Sequence, residues 1–158
     1  MTRDPEPSAA DKLITARRQA MSAFAQAQQD ELLTGISDTP GSGNWSYVRK
    51  PEIGLIMTQG RIGGSGAPFN IGEVTVTRCA VVIASGETGH ATIMGRDREK
   101  ARLAALADAL WQNPESRPVV EARIVSPIVA RLAADDALLR AEADATKVDF
   151  YTMARGED

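Results

Sequence analysis

A chain of 158 residues with a formal net charge of -3 and a hydrophobic fraction of 43% has the size and composition of one globular domain. No apolar run approaches the roughly 20 residues that cross a bilayer, and the N-terminus lacks the apolar core of a signal peptide, so we expect a cytoplasmic protein without a membrane partner. One cysteine and one histidine argue against a disulfide or an intrachain metal site, and the lack of a basic stripe argues against nucleic-acid binding.

The N-terminal part is predicted to be helical. Residues 1–8 carry two prolines and mixed charge, which is typical of a flexible arm, and residues 9–158 are predicted to form a single domain. Ser8 can cap a helix from Ala9 to about Leu33, because apolar residues recur there at three- and four-residue spacing. The glycines and prolines of TPGSGNWSYVRKP, residues 39–51, predict a connecting loop.

The centre of the chain is predicted to be a β-sheet. Strands are expected from Ile53 to Ile62, from Gly72 to Ile83 and from His90 to Gly95, with glycine-rich turns between them. The connections are short, and parallel pairing needs a crossover of about a dozen residues or more, so the strands should be antiparallel.

The C-terminal part is predicted to contain two further helices and a strand. Asp97 should cap a helix to about Gln112, and Ser126 with Pro127 should open another helix to about Thr146. Residues 119–125 are apolar and ambiguous between strand and helix, whereas Val148 to Ala154 alternates like a strand.

The predicted fold class is therefore α+β, with an antiparallel sheet of about four strands packed against about three helices.

Two arginines in the predicted strands are candidate binding residues. Arg78 shares its strand face with valines and Ala80, while Glu73 lies on the other face, and Arg61 follows apolar residues on its own strand. A buried unpaired guanidinium is costly, so each arginine should meet a carboxylate, a partner chain or a phosphate, unless a bulge redirects it. An internal ion pair with Glu73 or Asp149 is an equally good interpretation at this point.

The loop between the first two strands is rich in glycine. Gly63, Gly64 and Gly66 allow positive φ and the close approach of another molecule, and the N–H groups of such loops can bind phosphate. The loop is not a Walker A motif, because no Gly-Lys-Ser/Thr follows and the next element is a strand. An ordinary hairpin turn is the alternative interpretation.

No catalytic residue is predicted. His90 is isolated at a strand start, and Cys79 lies inside a strand with no histidine beside it in sequence, where cysteines are usually unreactive. No catalytic triad, pair of acids or metal motif is recognisable.

Three sequence blocks point to a known family. GRIGGSGAPFN is followed at short spacing by GEVTVTRC, and TKVDFYTMARGE ends the chain. Together they resemble the G subunit of the bacterial carbon-phosphorus lyase core complex, the PhnG family, from about Trp45 to Asp158.

The resemblance implies an accessory subunit in phosphonate catabolism. Such a subunit is required with the nucleosidase (I) subunit to form ribose 1-methylphosphonate 5-triphosphate from ATP and methylphosphonate. ATP and phosphonate would be substrates of the complex, with no cofactor bound by this chain alone, and the partners would be other core subunits, foremost the I subunit. An independent triphosphate-binding enzyme that uses Arg61, Arg78 and the glycine loop is one alternative, and a purely structural scaffold is another.

The C-terminal block is a further candidate interface. Lys147, Tyr151 and Arg155 share one face of the predicted terminal strand, and a specific polar and aromatic tail favours docking to a partner. Pairing of this strand with the chain's own sheet is the alternative.

Overall fold

The structure is a computed structural model that describes residues 8–146. Its elements are, in order, α1 (Ala9–Gln26), α2 (Gln29–Ser37), β1 (Trp45–Arg61), β2 (Pro68–Ile83), β3 (Thr88–Met94), α3 (Arg98–Gln112), α4 (Arg117–Val120) and α5 (Ser126–Ala145). The strands form one antiparallel sheet in the order β1-β2-β3. This confirms the α+β class, with three strands in the described part of the chain instead of about four. The strand predicted from Val148 to Ala154 lies outside the described residues.

The predicted N-terminal helix is in fact two helices. Ser8 caps α1 as predicted, since its hydroxyl accepts a hydrogen bond from the backbone N–H of Asp11 at 3.2 Å. The chain then becomes extended at Ala27 and Gln28, with ψ of 156° and 157°. The backbone N–H of Gln28 donates to the Glu31 carboxylate at 2.7 Å, and this bond helps to start α2. The prediction of one helix to about Leu33 was therefore wrong.

Strands β1 and β2 are longer than predicted. Strand β1 begins at Trp45, inside the predicted loop, because Trp45, Tyr47 and Val48 are residues that favour a pleated strand. Pro51 lies where the register of β1 against β2 shifts, which is where a strand tolerates a residue without an N–H. The predicted loop is thus confined to the residues before Trp45.

Helix α3 covers one face of the sheet and forms the centre of the core. The amide N–H of Lys100 donates to the Asp97 side chain at 2.8 Å, which confirms the predicted cap. The helix packs closely on β3 at Gly89, where an added Cβ would collide with the backbone of Ala105 and Ala109. Helix α3 supplies Leu106, Leu110 and Trp111 to the core. Other elements supply further large buried side chains, which include Phe24, Leu32, Val81, Ile93 and Ile124.

The C-terminal helical segment starts earlier than predicted. The ambiguous residues 119–125 are helical, because α4 continues through a π-helical turn, Glu121–Val125, directly into α5. Helix α5 begins at Ser126, with Pro127 in its first turn, and ends at Ala145, close to the predicted bounds. Ser126 is itself helical and makes no side-chain cap, so the predicted cap was wrong. Pro127 cannot donate a backbone hydrogen bond, and the wide turn just before it accommodates this loss.

Candidate functional site

Residues 55–75 form a two-stranded arm that extends beyond the body of the protein. Strand β3 pairs only with Val76 to Val82 of β2, so within residues 8–146 the distal parts of β1 and β2 have no third strand. We call these residues the hairpin arm. An isolated two-stranded hairpin is only marginally stable in water, so an arm of this kind depends on packing against something beyond its own two strands.

The hairpin arm exposes large apolar side chains on both faces. Leu55 is 56% exposed and Met57 55% exposed on one face of β1, and Ile56 is 38% exposed on the other. The remaining large exposed apolar residues of the arm are Ile62, Phe69 and Ile71. Contiguous apolar surface of this kind usually marks a site of protein association.

The tip of the arm contains all three predicted glycine-loop residues. Gly63 and Gly64 have φ of 59° and 78°, a backbone conformation that only glycine adopts without strain. A Cβ at Gly66 would lie 2.7 Å from the carbonyl oxygen of Ile62, so this glycine permits a close backbone approach. Arg61 donates through Nη1 to the carbonyl oxygen of Gly66 at 3.0 Å and closes the turn. Each of these residues has a local role in forming a hairpin turn.

The structure places Arg78 far from Arg61. Arg78 pairs with Glu52 in the register, whereas Arg61 pairs with Pro68 at the tip, nine residues further along β1. At about 3.3 Å per residue, roughly 30 Å of strand separates the two positions. Glu73 lies on the exposed arm, and neither arginine forms an ion pair with it. The described part of the chain thus supplies no salt bridge for either arginine.

Arg78 lies on the open face of the sheet, opposite α3. Its neighbours Thr77 and Cys79 point into the core, so Arg78 lies on the other face, over which residues 8–146 place no helix. The guanidinium extends across β1, where a Cβ at Gly54 would lie 3.0 Å from its Nη2 atom. The apolar face that the sequence predicts is real, since Val76 and Ala80 are 3% and 6% exposed, but Arg78 itself is exposed among the residues that the structure describes.

Three further polar residues lie beside Arg78 on this open face. Cross-strand pairing sets Thr92 opposite Arg78, and sets both His90 and Arg49 opposite Ala80. These side chains line a shallow depression of about 350 Å³. We call Arg49, Arg78, His90 and Thr92 the basic cluster.

Sequence reasoning missed the basic cluster because two bulges redirect β1. Tyr47 pairs with Val81 on the core face, yet Arg49, two residues later, pairs with Ala80 on the open face, so one extra residue lies between them. A second shift separates Arg49 from Glu52. Strict alternation from Tyr47 would have placed Arg49 on the core face. Pro51 is the one sequence signal of this irregularity.

The lone cysteine is a core residue. Cys79 is 3% exposed, and its thiol donates to the carbonyl oxygen of Arg49 at 3.4 Å. Burial raises the pKa of the Cys79 thiol, which keeps it protonated and a poor nucleophile. His90 points to the opposite face of the sheet, so Cys79 and His90 do not form a nucleophile and base pair.

Three predicted site residues, Lys147, Tyr151 and Arg155, lie outside the described residues, and their role in docking stays a prediction. Within residues 8–146, no group of three or more histidine, cysteine, aspartate or glutamate side chains could hold a metal ion. None of the helices in that range is both long enough and apolar enough to span a bilayer.

Comparison with known proteins gives two matches of long coverage. The family model described as "Phosphonate metabolism protein PhnG" matches residues 15–156. A relative from Rhizobium meliloti (strain 1021), named alpha-D-ribose 1-methylphosphonate 5-triphosphate synthase subunit PhnG, is 43% identical over 155 residues. The alignment covers 98% of this chain and 99% of the relative.

Proposed function

The chain belongs to the PhnG family of phosphonate metabolism proteins, and we propose that it is an accessory subunit of the complex that makes α-D-ribose 1-methylphosphonate 5-triphosphate. The observation that carries this proposal is the identity of 43% to a subunit of that synthase along nearly the whole of both chains. A match of this length spans the helices, the sheet and the hairpin arm together.

The proposed role is that of a subunit without chemistry of its own. In this proposal the I subunit carries the nucleosidase reaction, ATP and methylphosphonate are substrates of the whole complex, and this chain binds no cofactor alone. We also propose that the complex works in the cytoplasm. Two features of the chain support a non-catalytic role: the thiol of Cys79 is buried, and its pKa is raised.

The hairpin arm supports membership of an assembly. Burying one large apolar side chain stabilises an interface by about 1.5–3 kcal/mol, and the arm offers several of them on both of its faces. We propose that the arm docks on a neighbouring subunit of the complex, foremost the I subunit.

A reconstitution assay tests the proposed function. The full set of core subunits is incubated with ATP and methylphosphonate, with and without this chain, and adenine release is measured. We expect turnover to require this chain, and we expect the chain alone to release no adenine.

Two outcomes would contradict the proposal. Adenine release by the purified chain alone would identify an independent enzyme. If the other subunits turn over substrate at the full rate without this chain, the chain is either a structural scaffold or has no part in the reaction.

A further inference from the structure

On the open face of the sheet, we propose a binding site for a tetrahedral phosphorus oxyanion, a phosphate or phosphonate group, held by Arg49, Arg78 and His90 around Ala80. The site itself is inferred from the geometry of the sheet. Its connection with the triphosphate of the synthase reaction rests on the proposed function.

The three strands bring the donors of the site together. Arg78 comes from the central strand β2, His90 and Thr92 from β3, and Arg49 from β1. Ala80 lies between Arg49 and His90 in the register, so the smallest side chain of the group forms the floor of the depression. A bulge is what brings Arg49 onto this face, and bulges are common beside functional sites because they redirect side chains.

The number of the donors favours a tetrahedral oxyanion over a carboxylate. A carboxylate is planar and is satisfied by the two-pronged fork of one guanidinium. Arg49 supplies one such fork from β1, where it lies opposite Ala80, and Arg78 supplies another from β2, two residues from Ala80. The imidazole of His90 and the hydroxyl of Thr92 add donors from β3. A phosphate or phosphonate group presents three or four oxygens in different directions and can accept from all of them.

The arginines of the site are available for a ligand. Arg78 is exposed and forms no ion pair within residues 8–146. The one ion pair of Arg49 in that range is a 3.9 Å contact with Glu52, and both side chains are more than half exposed. Exposed pairs of this kind contribute little, so an anion can displace Glu52.

Glu52 is also the residue that should weaken the site. It lies directly across from Arg78 in the register, so its negative charge repels an incoming oxyanion. Two substitutions should therefore have opposite effects on the affinity for the anion. Removing an arginine should weaken binding, and neutralising Glu52 should strengthen it.

The test is calorimetric titration of the full-length chain at low ionic strength with sodium tripolyphosphate, inorganic phosphate or methylphosphonate. Tripolyphosphate should bind, and Arg78→Met should weaken its affinity by about tenfold or more, as expected for the loss of a charged hydrogen-bonding group. Arg78→Lys should recover part of the affinity, because it restores the charge without the fork. Glu52→Gln should increase the affinity. If phosphate or methylphosphonate binds as tightly as tripolyphosphate, the site recognises a single phosphorus group.

Arg140→Gln is the matched control, because Arg140 is an exposed arginine on α5, away from the proposed site. The Arg140→Gln variant should bind tripolyphosphate with the affinity of the unaltered chain. A thermal melt of each variant shows that it is folded. The proposal is overturned if none of the three anions binds, or if Arg78→Met binds tripolyphosphate as tightly as the unaltered chain. An Arg78→Met chain that keeps its anion affinity but loses its partner subunits would assign the cluster to a protein contact, which also overturns the proposal. The dependence of turnover on the whole chain is a separate measurement, so failure of the anion site leaves the proposed subunit role standing.

Discussion

Arg17 of α1 and Asp108 of α3 form a two-pronged ion pair, with Nε 3.0 Å from Oδ1 and Nη2 2.8 Å from Oδ2. The Asp108 side chain is fully buried, and it also accepts a hydrogen bond from the backbone N–H of His90 at 2.8 Å. One carboxylate thus connects α1, α3 and β3. The hydrogen bonds to Asp108 raise the pKa of Arg17, so this arginine is charged throughout the physiological range.

Replacement of Asp108 by alanine should destabilise the protein strongly. The change strands the partly buried Arg17 guanidinium and leaves the backbone N–H of His90 without its acceptor. We expect a loss of about 3–5 kcal/mol in the free energy of unfolding. Asp108→Asn keeps one oxygen acceptor and should cost less. Denaturant unfolding measures the free energy of unfolding of both variants, and Glu115→Ala at an exposed site is the control. A loss below about 0.5 kcal/mol for Asp108→Ala would show that the pair is not a structural centre.

The close contact of β3 with α3 gives a second prediction. A Cβ at Gly89 would collide with the backbone of Ala105 and Ala109, which cannot move aside as a side chain could. Gly89→Ala should therefore cost about 1–3 kcal/mol of stability or more. Gly72→Ala is the control on β2, because nothing lies within 4 Å of its added Cβ. Equal melting temperatures for the two variants would contradict the tight packing.

A third prediction concerns acid stability. Glu31 of α2 accepts hydrogen bonds from Arg131 of α5 at 2.7 and 3.0 Å, and these bonds lower the pKa of Glu31 below its usual 4.5. A depressed carboxylate pKa stabilises the folded state above the unfolded pKa and ceases to do so as the pH falls through the folded value. The unaltered chain should therefore be more stable than Glu31→Gln at neutral pH, and the difference should shrink as the pH falls below 4.5. Thermal melts of both proteins across that pH range measure the difference in stability. A difference that grows in acid would contradict the stabilising ion pair between Glu31 and Arg131.

Local sequence signals predicted the parts of the fold that local interactions determine. Asp97 caps α3 as expected, and the strand predicted from His90 to Gly95 is present as β3, from Thr88 to Met94. The break between α1 and α2 was not predictable in the same way. Neither Ala27 nor Gln28 is a strong helix breaker, and the break depends on packing of α2 against α3.

The candidate site was predictable only in part, for a related reason. Alternation correctly grouped Arg78 with an apolar strand face, but it cannot tell which face a helix will cover. The cluster of Arg49 with His90 depends on a bulge and on cross-strand pairing, and both are properties of the assembled sheet. The exposure of the apolar residues in the hairpin arm could not be predicted from the sequence either, because their pattern is that of an ordinary buried strand.

The last prediction tests whether the hairpin arm is the docking surface. The double variant Leu55→Thr with Ile71→Thr removes two exposed apolar side chains, and threonine retains the preference for a strand. Both residues lie in the part of the sheet that β3 does not reach, so the free chain should lose less than about 0.5 kcal/mol of stability. Copurification with the other subunits should fall by more than about tenfold, because two buried anchors would be lost from the interface.

Leu13→Gln supplies the matched control for that experiment. Leu13 is 46% exposed on α1, and glutamine retains its helix preference, so this change also replaces an exposed apolar residue with a polar one. Isolated exposed leucines are common on protein surfaces and carry no implication of binding, whereas the apolar residues of the arm are contiguous on both strands. The control should therefore copurify normally. If the arm variant copurifies in full yield, the arm is not the interface, and α5, where Leu138 and Leu139 are 61% and 64% exposed, becomes the next surface to alter.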